Sequence, residues 1–135
     1  MPSELELKNA EKVLDMLNRI EGVSFEQVRG DVFKVTEYDT GMDLNVVVDV
    51  EETTVINMVE ICKVPEGTRP YLFEMLLEAN YKAVHGSFSI TPDNKIIIKD
   101  VLEIENLDIN ELESSIGNVL GLAAENIEVI SENLT

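Results

Sequence analysis

One cysteine, one histidine and no tryptophan occur in this chain, and each shortage closes off a chemistry. Cys62 alone cannot form an internal disulfide, which agrees with a reducing compartment. Around His85, the sole histidine, neither a catalytic triad nor a multi-histidine metal site is expected. A Cys62–His85 pair is conceivable, but Cys62 falls in an apolar alternation, where a thiol acts as a small hydrophobe. Basic residues are also few: ten Lys and Arg against 27 Asp and Glu, a net charge of −17. Such a surface repels phosphate backbones and anionic membranes, so neither nucleic acid nor membrane is an expected partner. No stretch approaches the ~18 apolar residues of a membrane span. The start "MPSELELKNAEK" is acidic and polar rather than a signal segment, so the expected location is cytoplasmic.

Glycine-rich phosphate loops are missing as well. "PEGTRP" sets Arg69 beside a helix start, where it could attract an anion, but pairing with a nearby glutamate explains it better. Carboxylates abound without the spacing of a site. Asp39 and Asp43 flank a glycine turn, and Asp49, Glu51 and Glu52 cluster at the next. Neither group follows the alternating oxygen pattern of a calcium loop. Turn chemistry and solubility account for both. No catalytic, cofactor-binding or metal-ligating residues are assigned.

What remains is an ordinary core in an acidic shell. With 135 residues and 44% hydrophobic content, the chain reads as a single domain over 1–135. Residues 3–20 form a first helix with Ser3 as N-cap; Leu7, Ala10, Val13, Leu14, Leu17 and Ile20 share its apolar face. "EGVSFEQVRGD" reads as the break after it. Strands follow at 32–38, 44–50 and 55–64. In the third, Ile56, Met58, Cys62 and Val64 fall on one face and Val55, Val59 and Ile61 on the other. Both faces are apolar, so either helices cover part of the second face or it is a contact surface. After a central helix, "AVHGSFSI" and "KIIIKDVLEI" pair across the turn "TPDNK". A last helix begins at Asp108, with Glu111 completing a capping box, and Gly117 and Gly121 either permit close packing or mark a break. The order is α-β-β-β-α-β-β-α, an α+β fold with an antiparallel five-stranded sheet and helices packed on it.

The central helix, near residues 70–82, carries more apolar surface than one packing layer uses. At ~100° per residue, Met75, Ala79, Leu72, Leu76, Phe73 and Leu77 span an arc of about 200°, where a surface helix needs ~100°. The expected division sets Leu72, Met75, Leu76 and Ala79 on the sheet. Phe73, Leu77, Tyr81 and Tyr71 are then left to meet a second copy or a partner.

This order, with "VP" at 64–65, "LFEMLLEAN" at 72–80, Gly86-Ser87-Phe88 and "TPDNKIII", resembles the type III secretion chaperone-like superfamily. That group includes the CesT-type secretion chaperones and the YbjN proteins, and the paired strands "LNVVVDVEETTVINMVEICKVP" look most like the YbjN branch. Asn80, Gly86 and Asp93 are the polar and glycine marks that match. The resemblance implies a compact, non-enzymatic homodimer that holds a segment of an unidentified polypeptide, although no distinct effector-binding motif is present. Two other readings stay open: an acidic regulator that imitates nucleic acid to occupy a basic site, and a small enzyme with a carboxylate pocket.

Overall fold

The computed structural model describes residues 1–38, 44–67 and 70–134. Helix α1 (Glu4–Arg19) starts at a closed capping box, in which Glu6 N–H donates to Ser3 Oγ at 3.1 Å and Ser3 N–H donates to Glu6 Oε1 at 2.8 Å. Strands β1 (Val23–Arg29), β2 (Val32–Glu37), β3 (Val46–Val50) and β4 (Thr54–Lys63) come next. Helix α2 (Pro70–Lys82), the hairpin β5 (Ser87–Ile90) and β6 (Lys95–Glu103), and helix α3 (Ile109–Glu132) complete the chain. All six strands pair antiparallel in one sheet, in the order β1-β2-β3-β4-β6-β5.

Among the described residues the sheet thus has six strands where five were expected. The added strand is β1, in the stretch read as a break. It lies at the edge, and Glu26, Gln27, Val28 and Arg29 are all exposed, so alternation is nearly lost. Only Val23 and Phe25 reach inward; Phe25 meets Phe33 edge-on, with centroids 6.2 Å apart. Pairing with β2, which a periodicity reading does not see, decides the strand.

A second correction concerns β4. Its register slips between Glu60 and Cys62, so Val59 stands opposite Ile98 and Cys62 opposite Ile96. Ile96 and Ile98 are both buried, two residues apart on one face. The bulge therefore brings Cys62, and Val64 after it, onto the face of Val55 and Val59. One extra residue reverses the two-residue period beyond it.

Helices α1 and α3 lie over this face, where Val46, Val48, Val50, Val55, Val59, Ile96 and Ile98 are fully buried. On the opposite face Val47 and Val101 stay exposed, with Ile56, Met58 and Ile97 half-buried. Helix α3 opens at the expected Asp108–Glu111 capping box and runs unbroken through Gly117 and Gly121. A Cβ at Gly121 would meet nothing within 4 Å, so neither close packing nor a break explains that glycine.

Candidate functional site

Pro70 opens α2, where the N–H it lacks has no helical partner to lose. Leu72 and Leu76 are buried in the core, and Met75 and Ala79 pack half-buried against it. The rest of the apolar arc faces outward. Phe73 is 36% exposed, Tyr71 63%, Leu77 69% and Tyr81 92%. Phe73, Leu77 and Tyr81 follow one another at four-residue steps, so they form one row along the helix.

The row borders an open groove of about 240 Å³ between α2 and β5, lined by Phe73, Leu76, Leu77, Asn80, Phe88 and Ile90. Asn80 builds its floor. Its Oδ1 accepts from Phe88 N–H at 2.7 Å and its Nδ2 donates to Phe88 O at 3.1 Å. β5 ends the sheet, so these groups belong to the edge left open by β6. Asn80 closes that edge at Phe88 and fixes α2 beside it. The other two matched marks hold turns. Gly86 enters β5 at φ +80°, a conformation that favours glycine. Asp93 accepts from Thr91 Oγ1 at 2.6 Å and lies 3.6 Å from Lys95 Nζ.

Cys62 and His85 are not brought together. Cys62 lies opposite Ile96, whereas Ser87, two residues after His85, lies opposite Lys99 farther along β6. Burial, with the charge of Glu60, pushes the Cys62 thiol up, which disfavours the reactive thiolate. Asp39, Asp43 and Arg69 lie outside the described residues. At the other acidic turn, Glu51 is pushed up to about 7 by its hydrogen bond to Glu6, then by the charge of Asp49 and a hydrogen bond to it. The crowding of carboxyls where α1 meets the β3–β4 turn thus disfavours the charged form of Glu51. Asn9 Nδ2 clips the same contact, donating to Glu51 O at 3.0 Å and Glu52 O at 2.9 Å. Among the described residues no group of three or more His, Cys, Asp or Glu could hold a metal ion.

One arrangement escaped the sequence reading. Asn57, fully buried on β4, donates from Nδ2 to Ser115 Oγ at 2.8 Å, and Ser115 Oγ donates to Asp100 Oδ2 at 2.7 Å. Its sequence signal is faint: an asparagine amid apolar residues, and a serine in the apolar row of α3.

Among the described residues, three helices accompany one antiparallel sheet, with an apolar helix row left outside. The CesT_Tir_1 family model matches residues 6–132. The chain belongs to the CesT_Tir_1 family. Solved structures show the same fold at low identity. The HopA1–SchA chaperone–effector complex contains a chain 9% identical, with TM-score 0.64, covering 94% of this chain and 99% of that one. YbjN from E. coli, described as a putative transcription regulator, is 12% identical with TM-score 0.65, covering 87% and 89%. The complex of the Yersinia pestis type III secretion chaperone SycH with a stable fragment of YscM2 contains a chain 14% identical, with TM-score 0.55, covering 89% of this chain and 98% of that one. No curated protein sequence matches the chain. Among the described residues, no helix of this CesT_Tir_1 member is long and apolar enough to cross a membrane.

Proposed function

We propose that this CesT_Tir_1 protein is a cytoplasmic, non-enzymatic binding module. It pairs with a second copy through α2 and holds a segment of another polypeptide on its apolar surface. The exposed row of Phe73, Leu77 and Tyr81, with Tyr71 also exposed on the first turn of the same helix, carries this reading. With Ile90, which lines the same groove, the row leaves on the order of 400 Å² of apolar side chain in water. That is the size of the largest patch on many monomers, often a functional one, and about half of the ~800 Å² per partner of a standard interface. A two-fold axis beside one helix serves both copies with the same patch. The likeness to chains solved as chaperone complexes supports a polypeptide client, held by burial at ~25 cal/mol per Å² with carboxylates favouring basic flanks.

The test is light scattering with circular dichroism. Wild type is expected to be a dimer at micromolar concentration, and Phe73→Glu combined with Leu77→Glu a folded monomer. A wild-type monomer would overturn the use assigned to α2. Client binding should persist in high salt; collapse in salt would favour a purely electrostatic partner.

A further inference from the structure

The sheet face away from α1 and α3 stays open to water at its centre. Val47 and Val101 are 37% and 48% exposed there, with Ile56 and Met58 half-buried beside them. Its charge is unlike that of the rest of the chain. Alternation places Lys34, Lys63, Lys95 and Lys99 on this face. Glu26, Asp49, Glu60 and Glu103 share it. That is four of the ten Lys and Arg but only four of the 27 Asp and Glu, so the face is balanced on a chain of net charge −17. A two-fold contact sets one patch against itself, which a uniformly acidic surface resists and a balanced one permits.

The charges also have a pattern. Val47 and Met58 are cross-strand partners, flanked in the same row by Lys34 on β2 and Lys99 on β6. Asp49 lies two residues beyond Val47 on β3, and Glu60 two residues beyond Met58 on β4. Because β3 and β4 are antiparallel, these carboxylates fall on opposite sides of the row. The lysines thus mark one line through the centre and the carboxylates a second line across it. With strands ~4.8 Å apart and ~3.4 Å per residue, each line spans about 14 Å, and the two cross at about 70°.

A two-fold axis lying in the face and bisecting that angle exchanges the lines, so every lysine of one copy lies over a carboxylate of the other. The same operation crosses the strands of the two sheets at about 70°, near the orthogonal class of sheet packing. Of the two axes that do this, the one setting Lys34 over Glu60 and Lys99 over Asp49 also brings Glu26 towards Lys63 and Lys95. Within its own chain Glu60 Oε1 meets Lys95 at 2.9 Å, which leaves its second oxygen for an incoming lysine. Asp49 is crowded by Glu51, and a lysine over it relieves that repulsion.

We propose that this open face is a second self-association surface, on which two copies stack sheet on sheet with strands crossed and lysines over carboxylates around Val47 and Met58. The contact is separate from α2 and stands whether or not α2 pairs two copies; with both, α2 pairs associate further. Five residues on each of six strands give a face of roughly 29 by 17 Å, about 500 Å² in plan. That is below the ~800 Å² per partner of a standard interface, so the contact is weak, with Kd on the order of 100 µM. The α2 pair remains the species at micromolar concentration.

The experiment is sedimentation equilibrium of the full chain from about 10 to 500 µM, with NMR at both ends of the range. The background carries Phe73→Glu and Leu77→Glu, which remove the α2 contact. Reversible dimers are expected, with concentration-dependent shifts at the Met58 methyl and the Val47 and Val101 amides. Lys34→Glu and Glu60→Lys, both at exposed side chains, should each weaken association roughly tenfold or more by setting like charges together. Combined in one chain they should restore it to within about threefold of the background, because the two-fold sets each new carboxylate over a new ammonium. Glu128→Lys, an equal charge change at an exposed site on α3, should not substitute for Glu60→Lys. In the wild-type chain, should the background disturb the fold, the same series reads as α2 pairs associating further. A wild type that is monomeric at about 10 µM, yet forms these dimers above it, overturns the α2 pairing and supports the sheet contact. A monomer throughout the range in the background, or a double variant no tighter than the single ones, would overturn the proposal and leave this face to a different polypeptide. So would rescue by Glu128→Lys, which would mark general charge repulsion instead of a paired face.

Discussion

Replacing Asn80 with alanine isolates what the α2–β5 contact contributes. The variant loses two hydrogen bonds, at 2.7 and 3.1 Å, and leaves the Phe88 N–H and C=O without partners. Phe88 is only 6% exposed, so water reaches these groups poorly. A lost bond costs about 1 kcal/mol when water replaces it and about 1–3 kcal/mol when the partner stays buried, so the pair should cost about 2 kcal/mol or somewhat more. For 135 residues, ~2.1 cal/mol/K of unfolding entropy per residue converts that to a Tm drop of about 7 °C. Urea unfolding gives the free energy, and hydrogen exchange at the Phe88 amide shows whether the edge opens locally. Asn80→Asp separates the two bonds. It keeps the acceptor for Phe88 N–H but sets an oxygen against Phe88 O, so amide protection should survive while stability falls. A Tm within about 1 °C of wild type, with unchanged exchange at Phe88, would refute the assignment of Asn80 as the closure of this edge.

Gly121→Ala should stabilise the fold by about 0.8–1 kcal/mol and raise Tm by about 3 °C, because the added Cβ meets open space inside a continuous helix. Leu72→Ala should cost about 2–5 kcal/mol in urea unfolding, since Leu72 is fully buried where α2 meets the core. Glu51 carries the expected pH effect. Its carboxyl is raised in the folded chain from the usual 4.5 to about 7, so the folded state binds more protons than the unfolded one between these values. Its stabilising contribution is complete below 4.5 and lost as pH rises through 7. Glu51→Gln should flatten Tm against pH in that window and gain on wild type above pH 7, as thermal melts across the range would show.

Local chemistry reaches far in this chain. Ser3 with Glu6 and Asp108 with Glu111 set both helix starts, because a capping box lies within four residues and needs no distant partner. The excess apolar arc of α2 is local for the same reason: angular position follows from residue number. The order of elements and the resemblance to secretion chaperones rest on these periodic segments, and the family match agrees with them. Composition alone set the charge of −17.

Tertiary structure decided whatever depends on a residue's neighbour across space. β1 is a strand because β2 pairs with it, although its outer half is polar and exposed. The bulge at Glu60–Cys62 changed the face of Cys62, since a two-residue period holds only until one residue is inserted. Asn57, Ser115 and Asp100 meet because strand register and helix placement converge at one point, 58 residues apart in the chain for the first pair. Separation in sequence hides such a contact, and packing alone creates it. Likewise, the sequence set how much of α2 is apolar, but only the packing of the helix against the core decided that Leu72 is covered while Leu77 and Tyr81 face water.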